Sequence, residues 1–303
     1  MKTFLFTVVI PHYNRQVGLQ RALKSLAAQT FDRFEVIVVD DGSVVSPSSA
    51  LEEFKDRLNI KLITIEHFGG PARPRNIGIN SACGEWICFL DSDDTWAPNK
   101  LATILDLISS AAVDVVYHRL VIVDKDGKPR RLRSLLGKKI TDNPFYYFLC
   151  VNNPIPLSTV VVRKAVFTDR LMFSESRDSI AVEDFDLWIR MSLADLKFLF
   201  LPRALGRYYE SDDSISRDPA KTIMRNVRLH EKYMDFLPEK MRPYCRAKIH
   251  YLTGSIQMNA KQFSRAILSF SLARPTYTKA LAIKREIKTI KARICRLFFR
   301  ENL

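Results

Sequence analysis

Phe4-Leu5-Phe6-Thr7-Val8-Val9-Ile10, followed at once by Pro11-His12-Tyr13-Asn14-Arg15, is the stretch on which the fold turns. An apolar run rich in β-branched and aromatic residues, bounded by a polar cluster, reads as a strand buried on both faces. With Thr3 ahead of it and Met1-Lys2 before that, it has the superficial form of a secretory leader. It is too short for one, and it enters the polar cluster without a small-residue cleavage site, so the strand reading is preferred.

Four runs of the same kind follow, at 35–39, 61–65, 86–90 and 113–117. Between them Leu19, Leu23 and Leu26 mark one helical face, and Leu101, Leu105 and Ile108 mark another. Buried strands alternating with helices predict an α/β fold with a mostly parallel, doubly wound sheet. Ligands bind such sheets beyond the carboxyl ends of the strands, which directs attention to the residues after each run. From about residue 118 the pattern changes. A strand at 118–124 enters a hairpin turn at Lys125-Asp126-Gly127-Lys128, and a helix at 144–151 and a strand at 159–162 follow. Next come a helix at 183–194 and strands at 198–201 and 205–209. Beyond Pro219 the chain reads as helices at 221–236, 239–260, 262–273 and 278–299, with Pro238, Pro243 and Pro275 at breaks or first turns. The expected division is an α/β domain over 1–216 and a helical region over 217–303.

With 47% hydrophobic and 26% charged residues, the 303-residue chain has the composition of a globular protein, so disorder is not expected before the last few residues. Five cysteines, Cys83, Cys88, Cys150, Cys245 and Cys295, are scattered without zinc-type pairing, which predicts a reduced, cytoplasmic setting. No stretch approaches the ~18 apolar residues of a membrane span. The net charge of +14 raises the question of nucleic acid. The excess is concentrated from Lys279 onward, and neither a nucleic-acid motif nor interleaved aromatics accompanies it, so no nucleic-acid partner is expected.

Candidate chemistry lies after the strands. Asp91-Ser92-Asp93-Asp94 follows the fourth run. Residues i and i+2 at a strand end point the same way, so Asp91 and Asp93 form a carboxylate pair suited to Mg²⁺ or Mn²⁺ shared with substrate phosphates. The alternative is a helix cap by Asp93 or Asp94. Asp40-Asp41-Gly42-Ser43 either turns the chain or offers a carboxylate to a nucleobase N–H. Arg73 and Arg75 suit phosphate, and equally suit a solvated surface. Glu183 and Asp184 are candidates for a general base, or acidic residues favoured at a helix start. There is no G-x-G-x-x-G, no Walker lysine loop and no G-x-S-x-G elbow, so dinucleotide, P-loop and serine-hydrolase chemistry lack support.

Taken in order, Val8 to Arg15, Gln29-Thr30-Phe31, Glu35 to Ser43, Ala72 to Gly78, Gly84 to Asp94 and Glu183 to Arg190 resemble the family 2 glycosyltransferases. The resemblance implies a GT-A fold, a Rossmann-like, mostly parallel sheet flanked by helices, here with a C-terminal helical extension. It also implies inverting transfer of a sugar from a nucleotide-diphosphate donor, such as a UDP-sugar, to a saccharide or lipid-linked acceptor in cell-surface polysaccharide synthesis. Pro11 and Tyr13 would line the nucleotide pocket, and Asp41 with Asp40 would hold the base. Arg75 and Asp91 would lie at the donor. Asp93, with Asp91 in the D-x-D pattern, would ligate Mn²⁺ or Mg²⁺. Asp184, beside Glu183, would be the catalytic base.

Three positions depart from the family pattern. His12 replaces a hydroxyl residue, Pro74 interrupts the Ala-Arg-Asn motif, and Ser211 stands where many members carry a metal-binding His before the Ser-x-Ser at 214–216. The rival reading of the whole is a noncatalytic nucleotide-sugar-binding protein on the same scaffold. In the tail, Ile283, Ile287, Ile290, Ile294 and Leu297 recur at 3-to-4 spacing among lysines and arginines. That pattern fits either a basic amphipathic helix on an anionic membrane, peripheral to its inner face, or a helix packed on the protein.

Overall fold

The computed structural model describes residues 4–129, 135–210 and 218–298. Two compact units emerge, the first from Met1–Ile140 with Pro154–Asp212, the second from Thr141–Asn153 with Asp213–Leu303.

In the first unit the elements run β1 (Phe6–His12), α1 (Gln16–Ala27), β2 (Phe34–Asp40), α2 (Ser48–Glu52), β3 (Ile60–Thr64), α3 (Ala72–Ser81), β4 (Trp86–Phe89), β5 (Thr95–Trp96), α4 (Lys100–Ser110), β6 (Val115–Val123) and β7 (Leu135–Leu136). After the helix α5 (Pro144–Cys150), which belongs to the second unit, come β8 (Val161–Arg163), α6 (Glu183–Leu193) and β9 (Phe198–Tyr209). One sheet takes the order β3-β2-β1-β4-β8-β6-β9-β5, with β7 on β6. The strands β3, β2, β1 and β4 are parallel. The strand β8 then runs antiparallel to both β4 and β6, so the sheet is mixed beyond the expected parallel half.

Both faces of β1 are covered, as its apolar run requires. Phe6, Val8 and Ile10 join a core with Leu19, Leu23 and Leu26 of α1. On the other face Val9 meets α3 so closely that a Cβ at Gly78 would lie 2.3 Å from Val9 Cγ1. The β-branched valine is stiff and cannot swing aside. Gly78→Ala is therefore expected to destabilise by about 1–3 kcal/mol, against the ~1 kcal/mol gain that helix propensity alone gives. Denaturant unfolding of the variant reads the sign.

The strand β9 runs through Pro202, where two strands were expected. Its ladder with β6 passes from His118↔Leu201 to Arg119↔Ala204, so a bulge absorbs Pro202 and Arg203 and spares the missing N–H a partner. The Ala72-to-Gly78 cluster, expected beside the ligand ahead of the fourth strand, is the helix α3. Pro74 lies in its first turn, where the N–H has no intrahelical partner to lose.

The second unit contains α5, α7 (Pro219–Met234), α8 (Arg242–Asn259), α9 (Phe263–Leu272) and α10 (Lys279–Phe298). Here the structure departs from a division at residue 216, because α5 was expected within the α/β domain. Phe145, Phe148, Leu149 and Cys150 are buried, the Cys150 thiol lies 4.0 Å from the Met241 carbonyl, and Lys248 Nζ donates to Asn152 Oδ1 at 3.3 Å. Among the described residues no helix is long and apolar enough to cross a membrane.

Candidate functional site

Because β1, β2 and β4 are parallel, their carboxyl ends bring 11–15, 40–43 and 91–94 to one edge of the sheet. Pro11 and His12 sit opposite Val39 and Asp40 in the ladder, and Asp41 N donates to the His12 carbonyl at 2.8 Å. Asp40 and Asp41 are both buried. Asp40 accepts the Ser43 backbone N–H at 3.3 Å, and Asp41 accepts those of Phe68 at 2.8 Å and Gly69 at 3.0 Å. Both carboxylates thus pin the loops. The exposed surface at this edge is aromatic: Tyr13, 42% exposed, stacks on His67 with centroids 4.3 Å apart. Behind it His12 is buried, and neither ring nitrogen has a hydrogen-bond partner among the described residues. Burial pushes its pKa down, partly countered by Asp40, and so favours a neutral ring.

The strand β4 ends at Phe89, so Asp91 to Asp94 form a turn, closed by Asp94 N donating to the Asp91 carbonyl at 3.0 Å, and not a strand end. Helix α1 approaches closely enough that a Cβ at Gly18 would lie 2.7 Å from the Ser92 carbonyl. Neither Asp93 nor Asp94 caps the next helix, since the residue before α4 is Asn99 with no side-chain bond. Arg15 pairs with the Asp93 carboxylate, and Arg21 NH2 donates to the Asp93 carbonyl at 2.8 Å. Asp94, buried, accepts Tyr209 N at 3.3 Å. Burial and then the Asp91 charge push the Asp93 pKa up, while Arg15 pulls it down. Asp94 rises further through burial, Asp91 and Asp93.

Arg75 connects this turn to the start of α6. The buried guanidinium donates through NH1 to Glu183 Oε1 at 2.7 Å and through NH2 to Asp91 Oδ1 at 2.9 Å. Glu183 is buried as well, and among the described residues its Oε2 has no hydrogen-bond partner. Asp184 keeps part of its surface open. Burial and the neighbouring Glu183 push its carboxyl up to about 7, with Arg75 opposing. Arg73 points elsewhere, pairing with Glu175 at 2.8 Å. Asn76 clamps 173–175, donating to the Phe173 carbonyl at 2.9 Å and accepting Phe173 N at 2.9 Å.

The residues singled out from sequence therefore fall into two groups. Pro11, Tyr13, Asp40 and Asp41 lie at the ends of β1 and β2, and Arg75 links Asp91 to Glu183, with Asp93 and Asp184 next to them in sequence. Sequence reading missed Arg15, Arg21 and His67. Arg15 lies in the quoted cluster after β1, but nothing in the sequence names a partner 78 residues away.

The donor chemistry of the turn suits a hard divalent cation. Asp91 and Asp93 carry the partly exposed carboxylates, 34% and 24% by side chain, and like charges crowd there. Among the described residues no three His, Cys, Asp or Glu side chains gather as a metal site, so a bound ion would take further oxygens from substrate and water. Ser211 and the residues 214–216 lie outside the described residues.

The family model for glycosyl transferase family 2 matches residues 7–175, and the chain belongs to that family. It is a glycosyltransferase. The UDP-Glc:alpha-D-GlcNAc-diphosphoundecaprenol beta-1,3-glucosyltransferase WfgD of Escherichia coli is 27% identical over 86% of this chain and 96% of its own length. The amylovoran biosynthesis glycosyltransferase AmsB of Erwinia amylovora is 29% identical over 80% of each. Residues 1–349 of S. aureus TarS, solved with UDP-GlcNAc, superpose with a TM-score of 0.67 at 22% identity, covering 95% of this chain and 89% of that one. The mannosyltransferase PcManGT of Pyrobaculum calidifontis, solved with GDP-Man and Mn²⁺, gives 0.57 at 16% identity over 98% and 88%. The mixed, mostly parallel sheet with its C-terminal helices has the GT-A fold of the TarS structures.

Proposed function

We propose that this glycosyltransferase moves a sugar from a UDP-sugar to a hydroxyl of a saccharide, free or lipid-linked, with inversion, in the synthesis of a cell-surface polysaccharide. The observation that carries this reading is the Arg75 bridge, which ties the donor-side carboxylate Asp91 to the α6 terminus bearing Asp184. The UDP-sugar names borne by WfgD and by the TarS complex support the donor class.

Tyr13 would offer an aromatic face to the nucleobase, with Pro11 beside it in the pocket wall and Asp40 and Asp41 fixing the loops that frame it. Asp91 and Asp93 would hold Mn²⁺ or Mg²⁺, which when bound supplies positive charge to the leaving diphosphate. Asp184 takes the proton of the acceptor hydroxyl as its oxygen bonds to the anomeric carbon. The bond from that carbon to the diphosphate breaks, and UDP leaves with the electron pair. A carboxyl whose pKa lies at about 7 is suited to this step, because about half of it is ionised near that pH while it is still basic enough to accept a proton. Glu183 is buried and committed to Arg75, so it positions Asp184 and does not contact the acceptor.

Thermal unfolding with UDP, with and without Mn²⁺, tests the donor site. UDP is expected to raise Tm, more so with Mn²⁺, and the Mn²⁺ increment is expected to vanish in Asp93→Asn. A UDP effect without hydrolysis of any UDP-sugar would favour the noncatalytic binding protein. No nucleotide effect would overturn the donor reading.

A further inference from the structure

The helix α10 has two faces, and only one has a counterpart in its own unit. On one side Leu281 and Ala292 are buried with Tyr251, Ala266, Phe270 and Ala273. Arg285 and Thr289, also buried, share that side, and Arg285 NH1 donates to the Ala273 carbonyl at 3.1 Å. On the other side Ile283, Ile287, Ile290, Ile294 and Leu297 are between 50% and 79% exposed. At about 100° per residue these five side chains share an arc of roughly 80°, opposite the buried row. The aliphatic stripe is therefore not the face that packs.

Charge decides what covers it. The helix carries seven basic residues and one acidic one. That residue, Glu286, is engaged by Arg285 and by Arg274 at 3.2 Å. Lys284, Lys291 and Arg293 are exposed and by helical geometry flank the stripe. A second copy laid stripe to stripe would set these cations against their own counterparts. Acidic headgroups supply the opposite charge, and the acyl boundary beneath them accepts the aliphatic side chains. No described helix is long and apolar enough to cross a bilayer, so the contact is with its surface.

We propose that α10 lies in the interface of an anionic membrane, with the 283–297 stripe inserted and the flanking lysines and arginines at the headgroups. This docking is independent of which donor the transferase takes. The whole protein is expected to sediment with phosphatidylcholine vesicles containing about one-third phosphatidylglycerol, and to stay in solution with phosphatidylcholine alone. The triple variant Ile287→Ser, Ile290→Ser, Ile294→Ser should lose sedimentation while its thermal unfolding is unchanged, because these side chains are already exposed. Lys291→Gln with Arg293→Gln should weaken binding by about 30-fold at low salt. Sedimentation retained by the triple variant, or equal binding to neutral vesicles, overturns the proposal. A dimer in solution that the triple variant converts to a monomer overturns it too, since a second copy then covers the stripe.

Discussion

Asp184→Asn is expected to lower kcat for sugar transfer by about 10²- to 10⁴-fold while UDP still raises Tm as in the wild type. The amide keeps the shape of the side chain and cannot take a proton. In the wild type the same group sets the acid limb of the pH profile. Burial and Glu183 hold its carboxyl up to about 7, so the ionised, competent form is lost as pH falls through that value. Activity should drop on the acid side of pH 7, and the residual activity of Asp184→Asn should show no such limb. A variant that transfers sugar at the wild-type rate removes Asp184 from the mechanism.

Arg75→Met carries the second large effect, and it falls on stability as well as rate. Arg75 is 4% exposed, and its guanidinium neutralises two carboxylates at once. Removing one partner of a buried ion pair typically costs about 3–5 kcal/mol, because the other charge stays in place without its counterion. Most of that loss belongs to Glu183, which is 5% exposed, while water screens Asp91, a third of whose side chain is open. For a protein of this size the expected drop in Tm is roughly 6–20 °C. The pH profile should move as well. Arg75 lowers the Asp184 pKa, so without it the carboxyl rises further and the acid limb shifts to higher pH. Arg75→Lys keeps the charge but loses the fork, and should fall between the two. An unshifted acid limb in a folded Arg75→Met enzyme would separate the bridge from the base.

The parallel half of the sheet was legible because strands buried on both faces leave continuous apolar runs. The loops after them were legible because short polar clusters stand out between such runs. The carboxylates of the 91–94 turn were found by assuming a strand end, whereas β4 stops two residues earlier and a turn does the work. Long-range pairing was out of reach. Arg75 reads as a phosphate ligand or a surface residue from its neighbours, and only the fold supplies Asp91 and Glu183, 16 and 108 positions away. The same limit hid Arg15 beside Asp93 and His67 against Tyr13. In α10 the spacing of the isoleucines gave the stripe but not its direction, because an amphipathic pattern states that a face exists and leaves its partner open.

The excursion of α5 has a consequence for how the molecule is made. Residues 141–153 leave one compact body for the other and the chain then returns, so neither body is a single uninterrupted length of polypeptide. During synthesis α5 emerges from the ribosome well before α8 exists, with Phe145, Phe148 and Leu149 still lacking the surroundings that bury them. The body that holds α5 therefore cannot be completed until the helices α7 to α10 have been made, long after α5 itself.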